Sequence, residues 1–214
     1  EVIGHLEAHH NDSTFSYFQF PDTHPSWHLA PETRYFYLGR RGNTSGDFRK
    51  MLNGFQDGLF DLPEQAKQLY LLRLAELDRM FGCVFDYVDR HFGEKALVVV
   101  TADHGLLMPY LGKENKNDTF FLTDVRVNIP LYMRGGHIPK MDYEGLCSPN
   151  IDIPVMLLQL AGIKPDADDF DGINFINSQE RRECVISEYA YDNVYEIAVR
   201  GGGHALFLKY DIDD

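Results

Sequence analysis

The chain has 214 residues, of which 44% are hydrophobic and 25% are charged, and its formal net charge at pH 7 is -13. This length and composition are typical of one globular domain with a sizeable core. The negative charge argues against a nucleic-acid partner, because phosphate binding needs clustered Lys and Arg. No apolar run suggests a membrane span, and three cysteines at irregular spacing suggest neither a disulfide framework nor a zinc ribbon.

The first half of the chain predicts a strand, an irregular segment and a long helix. Residues Phe15–Phe20 are rich in aromatic side chains and are followed by a proline, which favours a strand. Pro25–Gly58 has many Gly, Pro and Arg residues without periodicity, so we expect an irregular wall of a substrate cleft. Apolar residues at helical spacing run through Pro63–Phe92, and Gly93 follows, which predicts a helix with a glycine C-cap.

The second half predicts more strands and a second helix. Leu97–Thr101 and Asn128–Met133 are short apolar runs, which are typical of buried parallel strands. Asp152–Leu160 predicts a short helix with a glycine after it. Three late segments alternate or run apolar and predict strands, with a glycine triplet forming a hairpin turn between the last two. These segments are Glu183–Glu188, Glu196–Val199 and Ala205–Tyr210.

The most informative pattern is the apolar strand that ends in Asp103, His104 and Gly105. In open α/β sheets, ligands bind beyond the carboxyl ends of such strands. A carboxylate oxygen beside an imidazole nitrogen is metal-ligand chemistry. A glycine at the next position lets the backbone turn away and leaves room for a ligand. The pattern therefore predicts a metal site, and a strand that merely ends in polar turn residues is the alternative.

The sequence Thr101-Ala102-Asp103-His104-Gly105 resembles the Thr-Ser/Ala-Asp-His-Gly signature of sulfatases, a family of the alkaline-phosphatase superfamily. Further similarities run from Phe15 to Tyr210 in family order. They include Phe15–Pro25, which is similar to a family strand that ends in Asp-x-His-x-Pro, the long helix, Ile129–Met133, Asp152–Ile163, Asp171–Asn174 and Ser187–Glu188. The resemblance implies an α/β fold of the alkaline-phosphatase type, with a mostly parallel sheet flanked by helices.

The resemblance also implies metal-assisted hydrolysis of a small-molecule or saccharide sulfate ester. Asp103 and His104 would bind a divalent cation that holds one sulfate oxygen and the nucleophile. Calcium is the expected ion, with manganese and zinc as alternatives, because a histidine is an unusual ligand for calcium. A phosphodiesterase or a phospho-group transferase of the same superfamily is the alternative function, since those enzymes also have an Asp-His-Gly strand.

Four other side chains receive roles from the resemblance. His24 would act in catalysis by contacting the sulfate group and stabilising charge on the leaving-group side. Lys113 and Lys116 both lie in the loop where the family places a lysine that grips the sulfate, and the spacing does not choose between them. His28 would flank the same cleft. We expect His24 to lie beside Asp103, because each follows a predicted strand of one sheet.

The nucleophile of the family has no counterpart in this sequence. It is a formylglycine made in a Cys/Ser-x-Pro-x-Arg motif, and Cys147, the nearest match, has no arginine in place. Glu1–Leu6 resembles the middle of a helix. We therefore expect residues 1–214 to be a single, partial catalytic domain that is inactive alone, with a pseudoenzyme as the alternative. An exposed sheet edge would favour a homo-oligomer, and the resemblance suggests a periplasmic, secreted or lysosomal-type location.

Overall fold

The computed structural model describes residues 1–24, 29–33, 63–106, 120–136, 138, 140, 143–166, 168–176 and 181–212. The chain forms two compact units. The first unit is Glu1–Gly93 with Met108–Lys116, and the second unit is Glu94–Leu107 with Asn117–Asp214. None of the helices in these described ranges has the length and apolarity to cross a membrane. The single-domain organisation stays a prediction.

The first unit is built around a long helix. It contains helix α1 (Val2–Ala8), a 3-10 turn at Pro21–Thr23 and helix α2 (Pro63–His91). Helix α2 confirms the predicted helix and ends one residue earlier, before a glycine with a φ of 54°. A left-handed residue of this kind is the usual end of a helix. The apolar face of α2 is buried at Ala66, Leu69 and Val88.

The strand predicted at Phe15–Phe20 is wrong. The segment has no sheet partner within the described part of the chain, and Phe15 and Tyr17 are 78% and 75% exposed. Aromatic residues favour strands because they fit a pleated, half-buried surface, and these two rings are not buried against such a surface. Phe20 alone makes an aromatic contact with α2, where its ring packs edge-on against Phe81 at 5.1 Å.

An ion-pair network holds the segment after Phe20 to helix α2. Arg73 of α2 forms ion pairs with Asp22 and, at 2.6 Å, with Glu76 Oε2. Glu76 is 6% exposed, and its other carboxylate oxygen accepts a hydrogen bond of 3.1 Å from the backbone N–H of Ala30. Asp22 is thus paired with a side chain of α2. His24 is the other residue of this element, and its expected role in catalysis stays a prediction.

The second unit begins with a two-stranded sheet. Strand β1 (Leu97–Thr101) pairs antiparallel with β2 (Leu131–Gly135), so that Thr101 lies opposite Leu131. The predicted parallel pairing of these strands is therefore wrong. The reason is the path between them: Gly105 N donates to the carbonyl of Arg126 at 2.6 Å, which brings the chain back beside the end of β1. The chain then enters β2 in the opposite direction.

The second unit also contains two helices, one before β2 and one after it. Helix α3 (Asp124–Val127) is a single turn before β2, and helix α4 (Pro149–Leu160) begins three residues before the predicted start. Pro149 occupies the first turn of α4, where its missing N–H needs no partner. Val155 and Met156 of α4 are buried.

A three-stranded antiparallel sheet completes the second unit. Its strands are β3 (Val185–Tyr191), β4 (Val194–Gly201) and β5 (His204–Asp211), with β4 in the middle. The three predicted late strands are confirmed. Strands β4 and β5 extend beyond both predicted ends, whereas β3 begins and ends later than predicted. The hairpin turn is also confirmed, because its two central glycines, at 202 and 203, have positive φ angles of 56° and 78°. All strand pairings in the described ranges are antiparallel, so the mostly parallel sheet is not observed there.

Candidate active site around Asp103 and His104

Asp103 and His104 lie just beyond β1, separated from its last residue by Ala102 alone. Their side chains are exposed, at 75% for Asp103 and 57% for His104. Asp103 Oδ1 accepts a hydrogen bond of 2.9 Å from the backbone N–H of His104, and Asp103 Oδ2 lies 3.8 Å from His104 Nε2. A carboxylate oxygen and a ring nitrogen therefore lie close together at the carboxyl end of the strand, as the sequence predicts.

The imidazole of His104 is oriented by its own backbone neighbour. His104 Nδ1 lies 2.9 Å from the carbonyl oxygen of Gly105. A carbonyl can only accept, so we assign the proton to Nδ1, which leaves the lone pair of the neutral ring on Nε2. Histidines that bind metals commonly donate their other ring N–H to a backbone carbonyl in this way.

The backbone of this turn is held on both sides. The carbonyl of Asp103 accepts a hydrogen bond of 3.2 Å from the side-chain amide of Asn150, at the start of α4. On the other side, Gly105 N donates to the carbonyl of Arg126. A Cβ atom at Gly105 would lie 1.8 Å from the carbonyl oxygen of Val125 in α3. The expectation that this glycine leaves room for a ligand is therefore corrected: the space is filled by protein backbone.

The donor chemistry fits part of a divalent-cation site. Asp103 supplies a hard carboxylate oxygen and His104 supplies Nε2, and calcium takes about six to eight ligands, mostly oxygens. No group of three or more His, Cys, Asp or Glu that could hold a metal occurs among the residues the structure describes. The pair would therefore be one portion of a larger ligand set.

Of the remaining predicted site residues, His24 is the one that the structure describes. His24 is exposed and belongs to the first unit, just after the 3-10 turn, where its backbone N–H donates to the carbonyl of Pro21 at 3.0 Å. Asp103 belongs to the second unit, so the expected meeting of these two residues stays a prediction. His28, Lys113 and Lys116 lie outside the described residues.

Cys147 sits beside a buried carboxylate rather than beside an activating group. Burial, followed by the charge and the hydrogen bond of Asp152, raises the pKa of the Cys147 thiol to about 12, although the charge of Arg182 acts in the opposite direction. Asp152 is fully buried and accepts hydrogen bonds from Ser148 N at 2.7 Å, from Ile173 N at 2.9 Å and from Arg182. The thiolate is the reactive form of a cysteine, so Cys147 is not an activated nucleophile.

Comparison with known proteins identifies the family of the chain. The model of the sulfatase family matches residues 1–163, which is most of the chain. The chain belongs to the sulfatase family. Family membership implies an α/β fold of the alkaline-phosphatase type, and sulfatases generally use a divalent metal.

A curated relative of this sulfatase chain is a choline-sulfatase of Rhizobium meliloti (strain 1021). The two sequences are 29% identical over 189 residues, which cover 82% of this chain and 35% of the relative. The chain therefore spans about a third of the length of that relative. Both comparisons support the hydrolysis of sulfate esters as the general chemistry of the family.

Proposed function

We propose that the whole protein containing this sulfatase chain hydrolyses a sulfate ester with the help of a divalent cation. The observation that carries the proposal is the pairing of Asp103 Oδ2 with His104 Nε2, 3.8 Å apart at the end of β1, in a member of the sulfatase family. When bound, the cation polarises a sulfate oxygen and offsets its charge. Calcium is the expected ion.

The residues of this chain hold and orient the reacting groups in the proposed reaction. Asp103 gives the site a negative charge and a hard oxygen ligand, and the Gly105 carbonyl keeps the lone pair of His104 on Nε2. His24 donates a hydrogen bond on the leaving-group side, where negative charge develops as the sulfate ester breaks. Lys113 or Lys116 contacts the sulfate as a mobile point charge. No Cys/Ser-x-Pro-x-Arg motif occurs in the 214 residues, so the proposal assigns the role of nucleophile to none of them.

A small-molecule sulfate ester is the proposed substrate, and choline sulfate is the first one to test because of the curated relative. The experiment measures turnover of choline sulfate, an aryl sulfate, a phosphate monoester and a phosphodiester by the whole protein. We expect a sulfate ester to give the highest kcat/KM. A clear preference for the phosphodiester would contradict the proposed reaction class.

Substitution of Asp103 tests the site itself. Asp103→Asn keeps the shape but removes the charge, and we expect kcat on the best sulfate ester to fall about a hundredfold or more. The matched control is Asp86→Asn, which changes an exposed carboxylate on α2 and should leave kcat unchanged. Full activity in the Asp103→Asn protein would refute the assignment of this residue.

A further inference from the structure

Glu196 is a buried carboxylate that binds the segment preceding α3. It lies on the central strand β4, it is 1% exposed, and both of its oxygens are used. Oε2 accepts from the backbone N–H of Phe121 at 2.9 Å, and Oε1 accepts from the backbone N–H of Leu122 at 2.7 Å. A buried charge is tolerated only where such hydrogen bonds replace its hydration. Glu196 therefore fixes the backbone at 121–122.

Arg200 lies four residues after Glu196 on β4 and holds the same segment. Residues 196 and 200 lie on one face of β4, because side chains of a strand alternate. Arg200 Nε donates to Asp124 Oδ1 at 2.9 Å, and Arg200 Nη2 donates to the carbonyl of Leu122. The segment that leads into α3 is thus anchored to the sheet by a carboxylate and by a guanidinium.

The anchored segment connects to the Asp103–His104 turn through α3. The ring of Phe121 stacks on the ring of Tyr189 of β3, with the two centroids 3.7 Å apart. The guanidinium carbon of Arg126 lies over the face of the Phe121 ring, 3.4 Å from the ring centroid. The carbonyl of the same arginine accepts the hydrogen bond from Gly105 N. A continuous set of contacts therefore runs from Glu196 to the residue that follows His104.

We infer that Glu196 is a positioning residue for the Asp103–His104 pair, acting through Phe121 and Arg126. The inference rests on the proposed function, and it assigns a role to a sheet that lies beyond the 163 residues matched by the family model. The physical reason is that both side chains of the pair are exposed. Their placement depends on the backbone of the turn, and the contact with α3 holds this backbone on the side opposite the hydrogen bond from Asn150.

The test uses Glu196→Gln in the whole protein. The Gln amide presents an N–H group to one of the two backbone N–H groups, so one hydrogen bond is lost and two donors face each other. We expect kcat on the best sulfate ester to fall roughly tenfold, with a smaller change in KM. We also expect faster amide hydrogen exchange in the peptide covering residues 102–107, since the Gly105 N–H loses its fixed partner.

The matched control is Glu188→Gln, which makes the same change on the neighbouring strand β3. Glu188 is exposed, and its carboxylate accepts a hydrogen bond from the hydroxyl of Tyr195 on β4, whereas Glu196 accepts from the segment preceding α3. We expect its kcat and its exchange at 102–107 to match the wild type. A folded Glu196→Gln protein with lower thermal stability but unchanged kcat and unchanged exchange would overturn the inference, because the role would then be structural alone.

Two further outcomes are also decisive. If Glu196→Gln does not fold, Arg200→Lys replaces it with the same two measurements, and unchanged exchange at 102–107 together with unchanged kcat would overturn the inference. If the wild-type protein hydrolyses no sulfate ester, the proposed function fails. The exchange measurement still decides in that case whether Glu196 orders the turn, so the two failures are distinguishable.

Discussion

At the scale of single residues, Gly105 shows how a close backbone contact dictates a residue type. Gly105→Ala would place a methyl group 1.8 Å from the carbonyl oxygen of Val125, and backbone must move to relieve this overlap. We expect the free energy of unfolding to fall by about 2 kcal/mol, as overpacking typically costs 1–3 kcal/mol. Chemical denaturation of the chain measures this change.

The control for this prediction is Gly82→Ala in α2. Beyond the adjoining residues and backbone of its own helix, no atom in the described part of the chain lies within 4 Å of a Cβ placed there. Alanine favours a helix over glycine by about 0.5–1 kcal/mol. The two substitutions should therefore change the free energy of unfolding in opposite directions. A Gly105→Ala protein that is as stable as the wild type would show that α3 does not approach the turn so closely.

Cys147 provides a second prediction at the residue scale. Because its pKa is raised to about 12, the thiol stays protonated at pH 8 and should react slowly with iodoacetamide. Cys83 and Cys184 are exposed, and we expect both to be alkylated first. Mass spectrometry of partially labelled protein gives the order, and early labelling of Cys147 in folded protein would contradict its burial beside Asp152.

At the scale of secondary-structure elements, the network on α2 holds Asp22 and the backbone N–H of Ala30 against the helix. Arg73→Gln would remove the positively charged side chain that forms ion pairs with Asp22 and with the buried Glu76. Removing one partner of a buried pair typically costs about 3 kcal/mol or more. We expect this loss in chemical denaturation at pH 7, whereas Arg79→Gln on the exposed side of the same helix should change stability by less than about 0.5 kcal/mol.

The same network predicts a pH dependence. Burial would raise the pKa of Glu76, but hydrogen bonds from Thr33, Arg73 and Ala30, together with the charge of Arg73, lower it below 4.5 overall. A carboxylate whose pKa is lowered by folding stabilises the folded state above its unfolded pKa, and this contribution is lost as the pH falls through the folded pKa. The stability difference between wild type and Glu76→Gln should therefore shrink below about pH 4.5. A difference that stays constant down to pH 3 would contradict the pairing.

At the scale of the whole molecule, the proposed function predicts that activity depends on a divalent cation. Treating the whole protein with a chelator should abolish hydrolysis of the sulfate ester, and added calcium should restore it, with manganese and zinc tested in parallel. Asp103→Asn should raise the cation concentration needed for half-maximal activity by roughly tenfold or more. Activity that survives exhaustive chelation would contradict a cation-dependent reaction.

The sequence determined the elements whose side-chain pattern is local. Helix α2 was predictable because apolar residues repeat at helical spacing and a glycine follows the end, and the hairpin between β4 and β5 was predictable because paired glycines accept positive φ angles. The proximity of Asp103 and His104 was also predictable, since the two residues are neighbours that follow an apolar strand, and their role as metal ligands stays a prediction. Local geometry alone is enough to bring neighbouring residues together.

The tertiary structure decided the direction of β2, the absence of a strand at Phe15–Phe20 and the reason for the glycine at 105. A run of apolar residues has the same pattern in parallel and antiparallel sheets, so strand direction depends on the path of the connecting chain. The anchoring contacts of Glu196 join residues 74 and 75 positions apart in the sequence. No local pattern marks such a carboxylate, because its partners are backbone N–H groups that every sequence provides and that only the fold brings within reach.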